Sequence, residues 1–317
     1  MFDLIIIGGA AAGPAAAVYA ARRRLKIKLI SDRLGGEVAL SGIVNNWPGI
    51  IEIQGYELAN KFIEHAKSYP EVDLEEGTWV YKIVPEMNHH NVHVKKADGK
   101  EDVYQAKGVI IATGIKPRHL KVPGEQELLH KGLTYCTVCD GPLFRNKVTA
   151  TIGSGNAALE SALMMGELAS KVYVLSKYPN QKEFNGGFPK GETILVDKIK
   201  ANPKIEILYS VKTAEIIGPD KVTGLKYLDE QGKENTLNLD GVMIHIGQTP
   251  NSDIADCVEK DANGQIIVDQ KCRTSCPGIF AAGDVTNIPY KQIGISAGQG
   301  ITAALAAIEY INRWTEN

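Results

Sequence analysis

The sequence predicts an α/β protein with two Rossmann-like dinucleotide-binding domains, the second inserted into the first. Three observations predict it. A short apolar strand, a glycine-bearing turn and an alanine-rich helix open the chain between Leu4 and Arg23. The same succession returns between Val148 and Ala169. The 317 residues suit two domains at roughly 100–200 residues each.

The elements follow in order. Leu4–Ile7 is a four-residue apolar run bounded by glycine, the pattern of a buried strand. A helix is expected from Pro14, where proline suits a helix start, to Arg23, and a second strand over Lys26–Ile30. Val92 and Val94 precede an Asp98-Gly99 turn and predict a hairpin, followed by a buried strand over Gly108–Ala112 that ends in Thr113-Gly114. The second βαβ unit takes Val148–Ile152, the turn Gly153-Ser154-Gly155, a helix reaching Ala169 and the strand Lys171–Leu175. Further strands are expected at Leu225–Tyr227 and Asn235–Leu239, joined through Gln231-Gly232, then at Val242–Gly247 and Gly278–Ala282. A helix carrying Cys257 and a last helix over Ser296–Ile311 complete the reading.

Composition narrows the function classes. Hydrophobic residues are 44% and charged residues 23% of the chain, close to globular norms of about 45–50% and 25%. The 35 Lys and Arg nearly balance the 37 Asp and Glu, so no global positive field draws nucleic acid or anionic membrane. Five Cys are too few for a disulfide-dense secreted scaffold. Leu4–Ala21 has the length of a membrane span, but Asp3 precedes it, the arginines follow it, and Gly8, Gly9, Gly13 and Pro14 divide it. A soluble cytoplasmic protein with no membrane or nucleic-acid partner is expected.

A bound pyrophosphate rests over a helix N-terminus, and glycines are needed where side chains would block its approach to the backbone. Gly8-Gly9-Ala10-Ala11-Ala12-Gly13 meets this imperfectly, with Ala10 at the middle glycine position, and packing alone also accounts for such a turn. Gly153-x-Gly155-x-x-Ala158 is the better match by spacing. Cys136-Thr137-Val138-Cys139 places two thiols close together in a cysteine-poor chain, which points to redox chemistry. The alternative, half a zinc site, lacks a second half, since Cys272 and Cys276 have the wrong spacing, and no metal is expected. Asp140 adjoins the second thiol and can carry a proton during exchange; it also suits the start of a turn at Gly141-Pro142.

With these pieces in order, the sequence resembles the low-molecular-weight thioredoxin reductases. The likeness runs through Ala16-Ala17-Val18-Tyr19-Ala20-Ala21-Arg22, Gly35-Gly36-Glu37, Asn46-Trp47-Pro48-Gly49, Ala112-Thr113-Gly114-x-x-Pro117 and Tyr135-Cys136-x-x-Cys139-Asp140-Gly141. It continues in Gly247-x-Thr249-Pro250-Asn251 and in Pro277 to Val285, with Gln292 beyond. The resemblance implies an FAD domain over residues 1–113 and 245–317, interrupted by a redox domain over 114–244 that carries the CxxC pair. It implies that Gly8 and Gly13 lie at the pyrophosphate, that Asp284 meets the ribitol and phosphates, and that Glu37, Asn46, Gln292 and Ile293 lie near the flavin. Ser31, Gly36, Val80, Ala112, Thr113, Gly114 and Gly283 complete the implied cofactor set. Cys139 then matches the thiol that contacts flavin, Cys136 the one that attacks the partner's disulfide, and Asp140 the proton carrier. Thioredoxin is the implied partner and a homodimer the implied assembly. Trp47, Cys257, Cys272 and Cys276 read as packing, Arg22–Arg24 with Lys26 and Lys28 as a solvated helix end, and His89, His90 and His93 as no ligand set.

The chain departs from that family's NADPH users at one place. They carry a His-Arg-Arg segment after the second strand of the inserted domain and a further arginine four residues on, to hold the 2′-phosphate. Here the segment is Ser176-Lys177-Tyr178, with Lys182 at the later position. Lysine is a point charge rather than a rigid fork, which weakens the case for NADPH. Reduced ferredoxin is therefore the favoured electron donor, in the manner of the ferredoxin-dependent flavin thioredoxin reductases. An NADH- or NADPH-dependent reductase and a flavin-dependent dithiol oxidase are the alternatives.

Overall fold

The computed structural model describes residues 1–41 and 43–314, with the backbone but not the side chain of Cys139. The chain divides into two compact units, Met1–Lys116 with Thr249–Asn317, and Pro117–Gln248. Each is built on a parallel sheet with helices, the predicted α/β class.

In the first unit the parallel strands run Val72–Glu76, Ile27–Ser31, Phe2–Ile7, Glu101–Ile111 and Ile279–Ala281 across the sheet. The first half of the long strand Glu101–Ile111 turns antiparallel partners outward, His90–Lys96 and then Thr78–Pro85. Alternation along Phe2–Ile7 explains its continuous apolar sequence. Leu4 and Ile6 enter one core with Ala16, Ala20, Ala303 and Ala307, while Ile5 and Ile7 enter another with Val94, Val109 and Ile279. Both faces are covered, as a parallel sheet requires. The helix Ala12–Ala21 begins two residues before the expected start. Pro14 is tolerated there because the first-turn amides have no intrahelical acceptor.

The second unit orders its parallel strands Leu133–Thr134, Gly241–Ile244, Val148–Ile152, Lys171–Leu175 and Ile205–Leu208. The helix Asn156–Leu168 returns the chain between the two predicted strands Val148–Ile152 and Lys171–Leu175. A separate antiparallel sheet joins Lys212–Ile217, Gly224–Leu228 and Glu234–Asn238.

Two expectations are corrected. Cys257 lies in a turn and not on a helix, because Asn251, Ser252 and Asp253 favour turns and Ser252 donates its hydroxyl to the Gly264 carbonyl at 2.6 Å. Lys28 is no part of a solvated helix end: strand Ile27–Ser31 lies inside the sheet, and the buried ammonium pairs with Asp73 at 2.9 Å and Glu75 at 2.6 Å. Among the described residues no helix is long and apolar enough to cross a membrane.

Gly8 closes the first strand with φ of +124°, and a Cβ there would collide with the Ala112 carbonyl. Both the dihedral and the clash forbid a side chain. Gly8→Ala is expected to cost at least about 3 kcal/mol, the scale of combined backbone strain and overpacking, and urea unfolding followed by circular dichroism measures it.

Candidate active site

In the first unit the residues expected at the cofactor gather where the parallel strands end, the usual ligand-binding rim of such sheets. Gly8 N–H donates to Ile30 O at 2.8 Å and Gly35 N–H to Gly9 O at 2.8 Å, so the glycine turn lies against the loop after the second strand. Gly36 faces Ala10, whose methyl would be 3.0 Å from a Cβ at Gly36. Ser31 is buried and gives its hydroxyl to Arg33 O at 2.7 Å, which holds that loop. The helices Ala12–Ala21 and Ile293–Ile311 both start without a side-chain cap and without an acidic residue in the first turn. Their first amides are therefore left for an anionic ligand.

Asp284 follows Gly283 and accepts the Ser296 hydroxyl at 2.9 Å. Burial raises its carboxyl pKa above the usual value, against the Ser296 hydrogen bond and Lys291. Burial likewise raises Glu37, with Asp284 adding to the rise and Arg33 opposing it; the two acids thus share one pocket of charge. Asn46 and Gln292 meet side chain to side chain at 3.1 Å, next to Ile293 at the helix start. Thr113 donates its hydroxyl to Asn251 O at 2.7 Å, and the Asn251 side chain returns a bond to Thr113 O at 2.9 Å. Gly114 adopts φ of +64° and faces open space. Ala112 is held by its N–H to Ile7 O at 2.8 Å, and Val80 packs its side chain into the core with Ile7 and Ile30. Trp47 stacks edge-on against Phe62 at 5.3 Å, a packing contact.

Sequence reasoning missed the supports of this rim. Gln299 accepts the Gly283 N–H at 2.8 Å and the Thr286 hydroxyl at 3.2 Å, and with Ser296 it is a polar residue within the otherwise apolar start of Ile293–Ile311. That interruption was the available signal. A tight glycine turn, uncapped helix starts and a half-desolvated acid awaiting further donors form a cradle that fits a dinucleotide with hydroxyls and a pyrophosphate.

In the second unit Cys136 is disulfide-bonded; the side chain of Cys139 lies outside the described residues. The backbone folds into the short helix Thr137–Asp140, with Asp140 N–H donating to Cys136 O at 3.1 Å, and continues as a 3₁₀ turn over Gly141–Phe144. Cys136 N–H donates to the Thr134 hydroxyl at 2.9 Å. Before it, Tyr135 donates to buried Glu125 at 2.5 Å, and Glu125 also accepts the amides of Leu120 and Lys121 at 2.7 and 2.6 Å. Burial pushes the Glu125 carboxyl up, but these hydrogen bonds and nearby His119 outweigh it and hold it below the usual range. The other cysteines differ: burial pushes Cys272 up to about 11 and Cys276 up to about 12, so neither supplies thiolate near neutral pH.

The second glycine turn is flanked on one side by a later segment of the chain. Gly155 forms a parallel bridge with Lys190. Asn156, the first residue of the following helix, donates to the Glu192 carboxylate at 2.8 Å and accepts the Glu192 amide at 2.7 Å. Burial and Glu192 both raise the carboxyl of Glu160 on the same helix. The Glu192 carboxylate therefore stands beside the side chain of the first residue of this helix.

A family model described as pyridine nucleotide-disulphide oxidoreductase matches residues 2–309, and the chain belongs to that family of oxidoreductases, whose membership implies a flavin cofactor. Among solved structures it is similar to thioredoxin reductase of Lactococcus lactis in its FR conformation, at 30% identity and a TM-score of 0.84 over 98% of this chain and 99% of that one. It is also similar to a ferredoxin-flavin thioredoxin reductase from Clostridium acetobutylicum, at 32% identity and a TM-score of 0.52 over 98% of both chains. One subunit of the alkyl hydroperoxide reductase of Pseudomonas putida is 38% identical over 315 residues, 98% of this chain but only 58% of that protein. The chain thus spans less than two thirds of the length of such curated relatives.

Two outcomes test these sites. Because the folded pKa of Asp284 is raised, its stability contribution is present below the usual aspartate value and is lost as pH rises through the folded one. Asp284→Asn should therefore raise the thermal midpoint of flavin-free protein at neutral pH by roughly 2–4 °C, the response to ~1 kcal/mol, with the gain vanishing toward acid, while flavin content on purification falls. Glu125 has the opposite sign: its contribution is present above the usual glutamate value of 4.5 and is lost as pH falls through the lower folded one. Glu125→Gln should cost about 2–3 kcal/mol at neutral pH, and denaturant titrations in acid should show the gap to wild type closing.

Proposed function

We propose that this protein is a flavoprotein disulfide reductase that reduces thioredoxin through FAD and a Cys136–Cys139 dithiol, with reduced ferredoxin as electron donor. The observation that carries the choice of donor is the Glu192 carboxylate beside the second glycine turn. Lys190 occupies the bridging position at Gly155, the Glu192 carboxylate pairs with the Asn156 side chain at the helix start, and Lys177 and Lys182 replace the arginine fork. A nicotinamide dinucleotide would have to displace this segment and place its phosphates beside a carboxylate. The likeness to a ferredoxin-flavin thioredoxin reductase supports the same donor.

In this reading the close packing at Gly8, Gly13, Gly36 and Gly283 shapes the turn that receives the FAD pyrophosphate, and Asp284 accepts hydroxyls of the cofactor. Glu37, Asn46, Gln292 and Ile293 border the flavin, and Ser31, Val80, Ala112, Thr113 and Gly114 complete the wall. Bound flavin supplies the conversion of two single-electron deliveries into one two-electron reduction of the disulfide. The Cys136 thiolate then attacks a sulfur of the thioredoxin disulfide and forms a mixed disulfide, expelling one thioredoxin thiolate. Cys139 attacks the Cys136 sulfur, closes the internal disulfide and releases thioredoxin as the dithiol, with Asp140 carrying the proton. A second reading, a nicotinamide-driven reductase, is favoured by the family description and by the surviving Gly153 and Gly155.

The two readings separate on anaerobic reduction of the purified flavoprotein, watched in its visible spectrum. Reduced ferredoxin should bleach it within seconds while NADPH and NADH leave it unchanged over the same time; rapid bleaching by either nicotinamide establishes the second reading. Cys139→Ser should accept electrons yet show no thioredoxin turnover, and retained turnover refutes its role.

A further inference from the structure

Between the two cysteines of the loop stand Thr137 and Val138, and the structure treats them differently. Val138 is 46% exposed, whereas Thr137 is 4% exposed. The Thr137 hydroxyl lies 2.6 Å from the Ser161 hydroxyl and 2.8 Å from Nε2 of His245. Ser161 is itself buried on the helix Asn156–Leu168, with the Thr151 hydroxyl a further 3.5 Å away. His245 directly follows the strand Gly241–Ile244 and is fastened by its N–H to Ile152 O at 2.8 Å. Its carbonyl is packed so closely on Gly153 that a Cβ there would collide with it. Burial pushes the imidazole down to about 4, so the ring is neutral at ordinary pH. One side chain of the redox loop is thus tied to the helix and to two strand ends of the sheet that carries it.

We propose that Thr137 is the positioning residue of the dithiol: its hydroxyl, held by Ser161 and His245, pins the backbone that joins the two cysteines and biases the loop toward the disulfide. This rests on the reading that the Cys136–Cys139 pair is the redox group. The network is seen with Cys136 in a disulfide. Reduction adds two electrons and two protons, breaks the S–S bond and lets the sulfurs separate to van der Waals distance. The helix Thr137–Asp140 must accommodate that separation, and a pin matched to the oxidised spacing resists it. Removing the hydroxyl also leaves Ser161 and His245 without their shared partner, while a shape-matched valine keeps the packing.

The test is a thiol–disulfide titration of the holoenzyme in dithiothreitol redox buffers, with alkylation and mass measurement of the peptide bearing residues 136–139. Thr137→Val should move the equilibrium three- to ten-fold toward the dithiol, the upper end being about 30 mV for a two-electron couple. Ser161→Ala should move it in the same direction, and Thr137→Ser, which restores the hydroxyl, should titrate within two-fold of wild type. Flavin content and circular dichroism identify any variant that has lost its fold, and Ser161→Ala then carries the test. A wild type that titrates while Thr137→Val and Ser161→Ala match it, or a Thr137→Ser that shifts as far as Thr137→Val, overturns the proposal alone. A wild-type peptide that no buffer interconverts overturns both the proposal and the redox role of the pair.

Discussion

Backbone meets backbone without room for a side chain at the start of the first unit, and its cofactor cradle depends on that contact. Gly8 abuts the Ala112 carbonyl, Gly13 abuts the Gly8 carbonyl, and Gly300 abuts Ala12. Close packing at these points holds the ends of two parallel strands, the start of the helix Ala12–Ala21 and the middle of the helix Ile293–Ile311 against one another. Ser31, Thr113 and Asp284 emerge there in consequence. The imperfect glycine pattern is compensated locally: Ala10 carries a methyl where a glycine was expected, and Gly36 leaves the space that this methyl needs.

The second unit repeats the strand, turn and helix with different neighbours at the turn. Gly153 is as crowded as Gly8, yet the helix start beyond it is occupied by the segment leading to Glu192. That segment is built rather than loose. Phe188 is fully buried, Ser176 donates to Gly187 O at 2.5 Å, and the Asn185 side chain bridges the carbonyls of Phe188 and Gly191 at 3.2 and 2.8 Å. Electrostatics and access at a helix start, besides the glycine turn, decide whether an anion is accepted.

Polar burial surrounds the redox loop on both sides of Cys136. Glu125 gathers the hydroxyl of Tyr135 and two amides before it, and Thr137 engages Ser161 and His245 after it. Buried polar groups are costly unless satisfied, and satisfied networks specify one arrangement of the groups they hold. Stiffness on both sides suits a loop whose chemistry depends on the spacing of two sulfurs. Cys272 and Cys276 lie instead among apolar neighbours, where burial suppresses the thiolate.

Much of this is legible from residue order. Strands Val148–Ile152 and Lys171–Leu175 match the reading residue for residue, because short β-branched and apolar segments on either side of a glycine turn and helix are the pattern of paired strands in a parallel sheet. The residues proposed for the cofactor can be named from sequence because glycine turns and strand ends mark positions by local backbone demand. Lys28 is not, because a cation on a strand gives no local sign of the carboxylates of Asp73 and Glu75, some 45 residues away, that allow its burial. Cys257 is not, because side-chain bonds to a distant carbonyl outweigh helix propensity. The sequence by itself determined the α/β class, the duplicated turn, the cysteine pair and the missing arginine fork, all of which follow from local pattern. Only the tertiary structure decided that Glu192 meets Asn156 at the second turn and that His245 reaches Thr137, because a contact across 36 or 108 residues depends on how the strands and helices between them pack.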